Sequence, residues 1–414
     1  MVGVAVGLGN VWRFPYMMGR YGGSAFLFVY LAFVIAFAVP ALMGEWALGR
    51  ATRRGPLGAF TAALGRPGHG IGLLLLFTIL VSTSYYVVVV GNVVYTAAFS
   101  AWRGFAAETT DAYGRGLASG PIQTVASWLV LWLALLVMYF GLHRGVERVS
   151  KMFVPFFGVV VTYLIVSSLR LPNATHHLVE FLKPDFGALT GTSVFAAMGQ
   201  AFFSLSLGGT FYLIYGSYLR DDEPIPGSAV LTALGDVGAA LLAALFIVPA
   251  SLAFGLDLAA GPQLIFNTLP QLFADIPGGR GLGTFFLLAL TTVSFLSVIA
   301  ALQVLLGAGV DALGWPRGRS LLVIGGVESL LLLPSTFHPS LIGTLDLIFG
   351  SGMQVLGSGL ALIALTWGLG RERTLQQIFR RTAGPQPRFY LFWARWVVPA
   401  ALLVTLGVYL HDIL

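Results

Sequence analysis

The stretch Val6-Gly7-Leu8-Gly9-Asn10-Val11-Trp12-Arg13-Phe14-Pro15 decides how this chain is read, together with Ser204-Leu205-Ser206-Leu207-Gly208-Gly209 far downstream. Both lie within long apolar runs, and both are rich in Gly and Ser, which form helices poorly. Backbone released from helical hydrogen bonding is tolerated inside a membrane only where it lines a cavity. Close packing is the plainer alternative for the first stretch, because Gly3 and Gly7 also fit a Gly-x-x-x-Gly helix contact. Two interruptions at corresponding places in two five-helix halves instead point to a transporter site at the midplane.

Composition supports a membrane body. The 414 residues are 57% hydrophobic and only 10% charged, where ordinary soluble domains carry roughly 25% charge. That is too little charge to coat a soluble enzyme of this size. The net charge of +6 is scattered through short loops, with no basic block of the kind nucleic acid needs. Cysteine is absent, which excludes disulfides and thiolate chemistry. The histidines His69, His143, His176, His177, His338 and His411 have no metal-binding spacing, and no phosphate-cradling motif exists to drive transport with ATP.

A span needs about 20 apolar residues. Ten segments qualify, at about 23–49, 70–102, 124–142, 150–169, 193–218, 227–256, 281–313, 319–334, 340–369 and 390–411. A shorter one at about 1–20 brings the expected count to 11. With the amino terminus in the cytoplasm, 15 Lys and Arg residues fall on inner loops and 5 on outer loops. This asymmetry fits the positive-inside rule and leaves the carboxyl terminus outside.

At these residues the chain resembles the bacterial neurotransmitter:sodium symporters. Val6–Pro15, Tyr21-Gly22-Gly23 and Gly44-Glu45-Trp46-Ala47-Leu48-Gly49-Arg50 look like that family's first two helices. Gln200–Gly208 and Tyr215-Gly216-Ser217-Tyr218 look like its sixth, and Gly261–Pro270 resembles its fourth outer loop. The resemblance implies an all-α polytopic membrane fold, one transmembrane unit over 1–414 with two inverted five-helix repeats. The first repeat would cover about 1–170, the second about 190–369, and an extra helix about 390–411, with helices 1 and 6 broken at the midplane.

The resemblance also implies roles. A first sodium site would use Ala5, Asn10, Ser204 and a group on the seventh helix, at or beside Asp236. A second would use Gly3, Val6, Val293 and Ser297. An amino-acid substrate would set its carboxylate on the amides of Leu8 and Gly9 and the Tyr86 hydroxyl. Its ammonium would meet Ala5, Phe203, Ser204 and Ser206, and its side chain would lie among Val4, Ser82, Tyr86, Phe203, Gly209, Ser297 and Ala301. Physical chemistry agrees: sodium takes hard oxygen ligands, and a carboxylate suits the free amides at the start of a half-helix. Gly209 and Ala301 stand where the family often has larger groups, so the pocket is expected to be wide and to favour a large apolar or aromatic side chain.

Ionisable residues inside spans are costly and usually functional. By the same resemblance Arg13 and Asp346 would form an outer gate, bidentate if the geometry allows, unless Arg13 simply snorkels to the interface. Asp311 and Tyr218 match the family's inner gate. Asp236 would supply the negative charge that animal members take from chloride, so chloride is not expected to be required; the plainer reading is an aspartate at the cytoplasmic end of its helix. The resemblance implies that Glu45 bonds the broken backbone of the sixth helix, and Gln303 is expected to serve packing.

The chain departs from the family in two places. Met1 stands just before Gly3, where family members have further apolar residues and a basic segment. The first helix is therefore expected to lack its cytoplasmic half, and with it the arginine that partners Asp311. Leu296 replaces a residue that often carries a hydroxyl, which thins the second sodium site. The expected function is sodium-coupled uptake of an amino acid by a multi-pass protein of the inner (plasma) membrane, using one or two sodium ions. Two alternatives stay open: a proton-coupled transporter of an amino acid or amine with the same fold, and a ligand-binding membrane protein that does not transport.

Overall fold

The computed structural model describes residues 7–141, 158–261, 264–380 and 384–413. The expected ligands Gly3, Val4, Ala5 and Val6 lie outside the described residues, as does the side chain of Asp311.

The chain is a bundle of helices. A π-helical turn, Gly9–Arg13, leads into α1 (Phe14–Arg20). Then follow α2 (Gly23–Thr52), α3 (Arg66–Trp102), α4 (Gly120–Phe140) and α5 (Gly158–Leu169). The next expected span is split into α6 (Gly191–Ser204) and α7 (Phe211–Tyr218). After these come α8 (Ile225–Ala253), α9 (Leu264–Asp275), α10 (Gly279–Val310), α11 (Arg317–Phe337), α12 (Ser340–Leu369) and α13 (Pro385–Gly407). Among the described residues, eight of these helices are long and apolar enough to cross a membrane. The other three expected spans correspond to the short opening helix, to α5, and to the pair α6 and α7. The split in the sixth expected span falls where the sequence reading places a break.

Between Ser204 and Phe211 the helical ladder stops. The Ser206 amide bonds the Phe203 carbonyl at 2.8 Å and the Leu207 amide bonds that of Phe202 at 2.9 Å. Ser206, Gly208 and Gly209 all take positive φ, at 54°, 145° and 70°. Such values suit Gly, which has no Cβ to clash, and are uncommon for Ser. The Gly208 amide has no backbone partner and donates to Glu45 Oε1 at 2.9 Å. A fully buried carboxylate on α2 therefore replaces the bond that the interrupted helix gives up, as the sequence reading expects.

The rest of Gly44–Arg50 holds α2 tightly against α7. A Cβ at Gly49 would stand 2.1 Å from the Leu213 carbonyl oxygen, and one at Gly216 would stand 2.6 Å from that of Trp46. Only glycines allow this approach. At the next residue, the Arg50 guanidinium donates to the Glu223 carbonyl at 2.9 Å and to Gln377 Oε1 at 2.9 Å, tying α2 to the loop after α7 and to the helix Arg371–Phe379. The motif thus fixes α7 rigidly while the segment before it stays open.

Removing the Glu45 acceptor leaves a buried amide unsatisfied, at a cost of about 1–3 kcal/mol. Glu45→Ala is expected to lower the unfolding temperature of the detergent-purified protein clearly, and Glu45→Gln, which keeps an acceptor, to lower it less. Equal losses in both variants would contradict this role.

Candidate functional site

The break and the π-helical turn meet across one cavity. Its wall is formed by Gly7, Leu8, Gly9 and Asn10 from the chain opening and by Phe203, Ser204 and Ser206 at the break. α3 adds Ile79, Ser82, Thr83, Tyr85 and Tyr86, and α10 adds Ser297 and Ala301. Phe211 and Gln354 complete it. The cavity has a volume of about 80 Å³. The Tyr86 hydroxyl faces Ser297 and the Leu8 backbone. Leu8, Gly9, Ser82, Tyr86, Phe203, Ser204, Ser206, Ser297 and Ala301 are thus gathered as the sequence reading expects.

Gly209 is a correction. It does not line the cavity: a Cβ there would meet the Gly357 carbonyl oxygen at 2.9 Å and Leu75 at 3.0 Å. The positive φ at Gly208 and Gly209 turns the backbone toward α12, so the room a glycine leaves is taken by that helix. Ile79, Thr83, Tyr85, Phe211 and Gln354 were missed. They sit on helix faces with no local motif, and only tertiary packing brings them to the wall.

A polar cluster closes one side. Asn10 Nδ2 donates to Asp236 Oδ1 at 2.7 Å, to the Asp236 carbonyl at 3.0 Å and to Ser204 Oγ at 3.2 Å. Ser204 Oγ donates to Asp236 Oδ1 at 2.8 Å. Asp236 is wholly buried eleven residues inside α8, so it is not a helix-end aspartate at the interface. Its Oδ2 has no hydrogen-bond partner. Asn10 also differs from expectation, turning its amide nitrogen to the cluster while its oxygen accepts from the Gly7 amide at 2.8 Å. The reason is electrostatic: the buried Asp236 is an acceptor and needs donors. For the second expected site, Ser297 Oγ lies 3.4 Å from the Val293 carbonyl, and Leu296 adds no oxygen.

Above the cavity lies a buried ion pair. Arg13 Nε meets Asp346 Oδ2 at 2.7 Å, with the two side chains 0% and 2% exposed. Arg13 therefore does not snorkel. Neither is the pair bidentate, because the other guanidinium nitrogens are used elsewhere. One donates to Gln200 Oε1 at 2.5 Å and the other to Ser351 Oγ at 2.6 Å. The Tyr16 hydroxyl reaches Asp346 Oδ2 at 2.8 Å, and that of Tyr85 reaches Oδ1 at 3.3 Å. The guanidinium also lies 4.4 Å from the centre of the Phe203 ring, a cation–π contact. Both ends of the pair stand on π-helical turns, Gly9–Arg13 and Asp346–Met353, a feature frequent at functional sites.

On the opposite side, exposed Tyr218 lines a separate cavity of about 680 Å³ with Arg53, Arg54, His69, Gln303 and Arg317 among its wall residues. Gln303 is half-buried at the edge of this cavity, and its Oε1 is buried without a partner.

A model of the sodium:neurotransmitter symporter family matches residues 1–111 and 116–412. An uncharacterized sodium-dependent transporter of Bacillus subtilis, YhdH, is 30% identical, with 97% of this chain and 93% of the relative covered. The sodium-dependent serotonin transporter of Drosophila melanogaster is 27% identical over 95% of this chain and 71% of its own length. The crystal structure of MhsT in complex with L-phenylalanine superposes with a TM-score of 0.91 at 29% identity, covering 98% of this chain and 96% of that one.

The buried ion pair makes a prediction that the absence of cysteine simplifies. Asp346→Asn leaves Arg13 buried without its counter-charge, which is strongly destabilising, and about 1.4 kcal/mol taken from the closed state is a tenfold shift in population. A thiol reagent added from the side of the Arg13–Asp346 pair is expected to label Ser82→Cys at least about tenfold faster with Asp346→Asn than without it. Equal labelling rates would contradict a gate at this pair.

Proposed function

The chain belongs to the sodium:neurotransmitter symporter family, and from that premise we propose that it carries an amino acid with a large apolar or aromatic side chain into the cell, coupled to sodium, by alternating access. It is a multi-pass protein of the plasma membrane. Its 11 spans comprise two inverted five-helix repeats, about 1–170 and 190–369, and an extra helix at about 390–411. The amino terminus is cytoplasmic and the carboxyl terminus external, as the loop charges favour.

The observation that carries this reading is the cluster of Asn10, Ser204 and Asp236 beside the break. An unpaired carboxylate oxygen, buried next to a hydroxyl, suits a small hard cation. Sodium in the first site would draw on Ala5, Asn10, Ser204 and Asp236, with Asn10 rotating its oxygen toward the ion. In the second it would draw on Gly3, Val6, Val293 and Ser297. The substrate carboxylate would lie against the Leu8 and Gly9 amides and Tyr86. Its ammonium would meet carbonyl and hydroxyl oxygens of Ala5, Phe203, Ser204 and Ser206. Its side chain would reach Val4, Ser82 and Ala301. MhsT, bound to L-phenylalanine in a closely similar fold, supports the size class of that side chain.

Substrate reaches the site while the Arg13–Asp346 pair is apart. The pair then closes over it, with Tyr16, Tyr85, Gln200 and Ser351 holding the guanidinium and carboxylate in place. Release follows on the side of Tyr218 and Asp311. Each sodium moving down 100 mV supplies about 2.3 kcal/mol. Two ions would drive roughly a thousandfold accumulation, and loss of the thin second site would halve the driving energy. Asp236 provides a fixed negative charge, so chloride is not required.

Uptake of phenylalanine into proteoliposomes is expected to fall to background when sodium is replaced by potassium, and to be unchanged when chloride is replaced by gluconate. Asp236→Asn is expected to raise the sodium concentration for half-maximal uptake by about tenfold or more, equivalent to about 1.4 kcal/mol. Sodium-independent uptake would overturn the coupling, and collapse in gluconate would overturn the role of Asp236.

A further inference from the structure

The cavity wall contains a polar side chain that the symport reading does not use. Gln354, on α12, is 5% exposed and lines the cavity. Its Oε1 is buried and has no hydrogen-bond partner. Ser82 Oγ, from α3, lines the same cavity in the same condition.

Gln354 is brought there by the break itself. The segment crosses α12 at Gly208, where an added Cβ would stand 3.3 Å from Gln354 Cα and 3.4 Å from its Cβ and Cγ. With no side chain at Gly208 to cover it, the glutamine forms part of the wall. Ile79, Phe203, Phe211 and Ala301 form the apolar part of the same wall. A buried polar atom left unpaired costs about 1–3 kcal/mol, and native structures rarely leave such groups without a reason.

We propose that Gln354 is a specificity-determining residue, which, with Ser82, receives a hydrogen-bonding group at the tip of the substrate's aromatic side chain, a phenol or an indole. The assignment rests on the reading of this cavity as the amino-acid site. A phenol O–H both donates and accepts, so it pairs with either end of the carboxamide and with the Ser82 hydroxyl. An indole N–H donates to the carboxamide oxygen. Phenylalanine fills the same space and leaves both groups unpaired. A site built to hydrogen-bond a substrate group discriminates strongly against the analogue lacking it. Preference for tyrosine and tryptophan over phenylalanine follows.

The test is sodium-dependent binding to the full-length purified protein, with tyrosine, tryptophan, phenylalanine and leucine competing against one labelled amino acid. The wild-type chain is expected to bind tyrosine and tryptophan at least tenfold more tightly than phenylalanine. Gln354→Leu is expected to erase that difference by weakening tyrosine and tryptophan while sparing phenylalanine. Sodium-dependent binding with phenylalanine equal to or tighter than tyrosine overturns the proposal and leaves the symport reading standing. This comparison uses the unaltered protein, so it holds even if the variant does not fold. Equal weakening of all four ligands by a folded Gln354→Leu makes the residue merely structural and also overturns it. Binding of none of the four, or binding indifferent to sodium, defeats the underlying reading of the site and this assignment with it.

Discussion

Every feature of the molecule follows from the need to pair backbone polar groups where no water is available. Six residues between Ser204 and Phe211 leave the helical ladder in an apolar bundle. Amides and carbonyls given up there must find other partners or bind something. Glu45 takes the Gly208 amide, and Asn10, Ser204 and Asp236 form a cluster beside the break. The glycines of α2 and α7 lock the half-helix after the break, so the non-helical backbone is held in position. Burial of charge around a cavity is thus a consequence of the interruption.

The same logic governs the ion pair above the cavity. An arginine and an aspartate removed from water are tolerated only when their hydrogen-bonding capacity is satisfied. Here four side chains besides the pair itself supply that satisfaction: Gln200, Ser351, Tyr16 and Tyr85. They come from α6, α12, α1 and α3, so separating Arg13 from Asp346 means parting several helices at once. A contact of this kind suits a two-position gate, because partial opening would expose charges to an apolar surrounding without restoring water to them.

Much of this was legible in the sequence, for a physical reason. Glycine clusters and charged residues are rare inside apolar spans, so each one marks a local exception: the break at Ser204–Gly209, the ion pair of Arg13 and Asp346, the hydrogen bond from Gly208 to Glu45, and the buried carboxylate of Asp236. Residues of ordinary chemistry were not legible. Tyr16, Tyr85, Gln200 and Gln354 occupy single positions on helix faces, and nothing within a turn of each says which neighbour it meets. Tyr16 alone had a signal, standing three residues from Arg13 on the same helical face. Gly209 misled because a missing side chain was read as added room in the cavity, whereas the backbone had turned that face toward α12. Asn10 misled in orientation, since the direction of a carboxamide is set by its partner, here a carboxylate on a distant helix.

Hydrogen–deuterium exchange across Ser204–Phe211, read first in potassium and then in sodium with an aromatic amino acid, tests the central claim most directly. The account predicts fast exchange at Leu205–Thr210 relative to α6 and α7 in potassium, and marked slowing when cation and amino acid are supplied together. Exchange as slow as in the flanking helices, unchanged by either solute, would mean that this backbone is neither open nor engaged in binding.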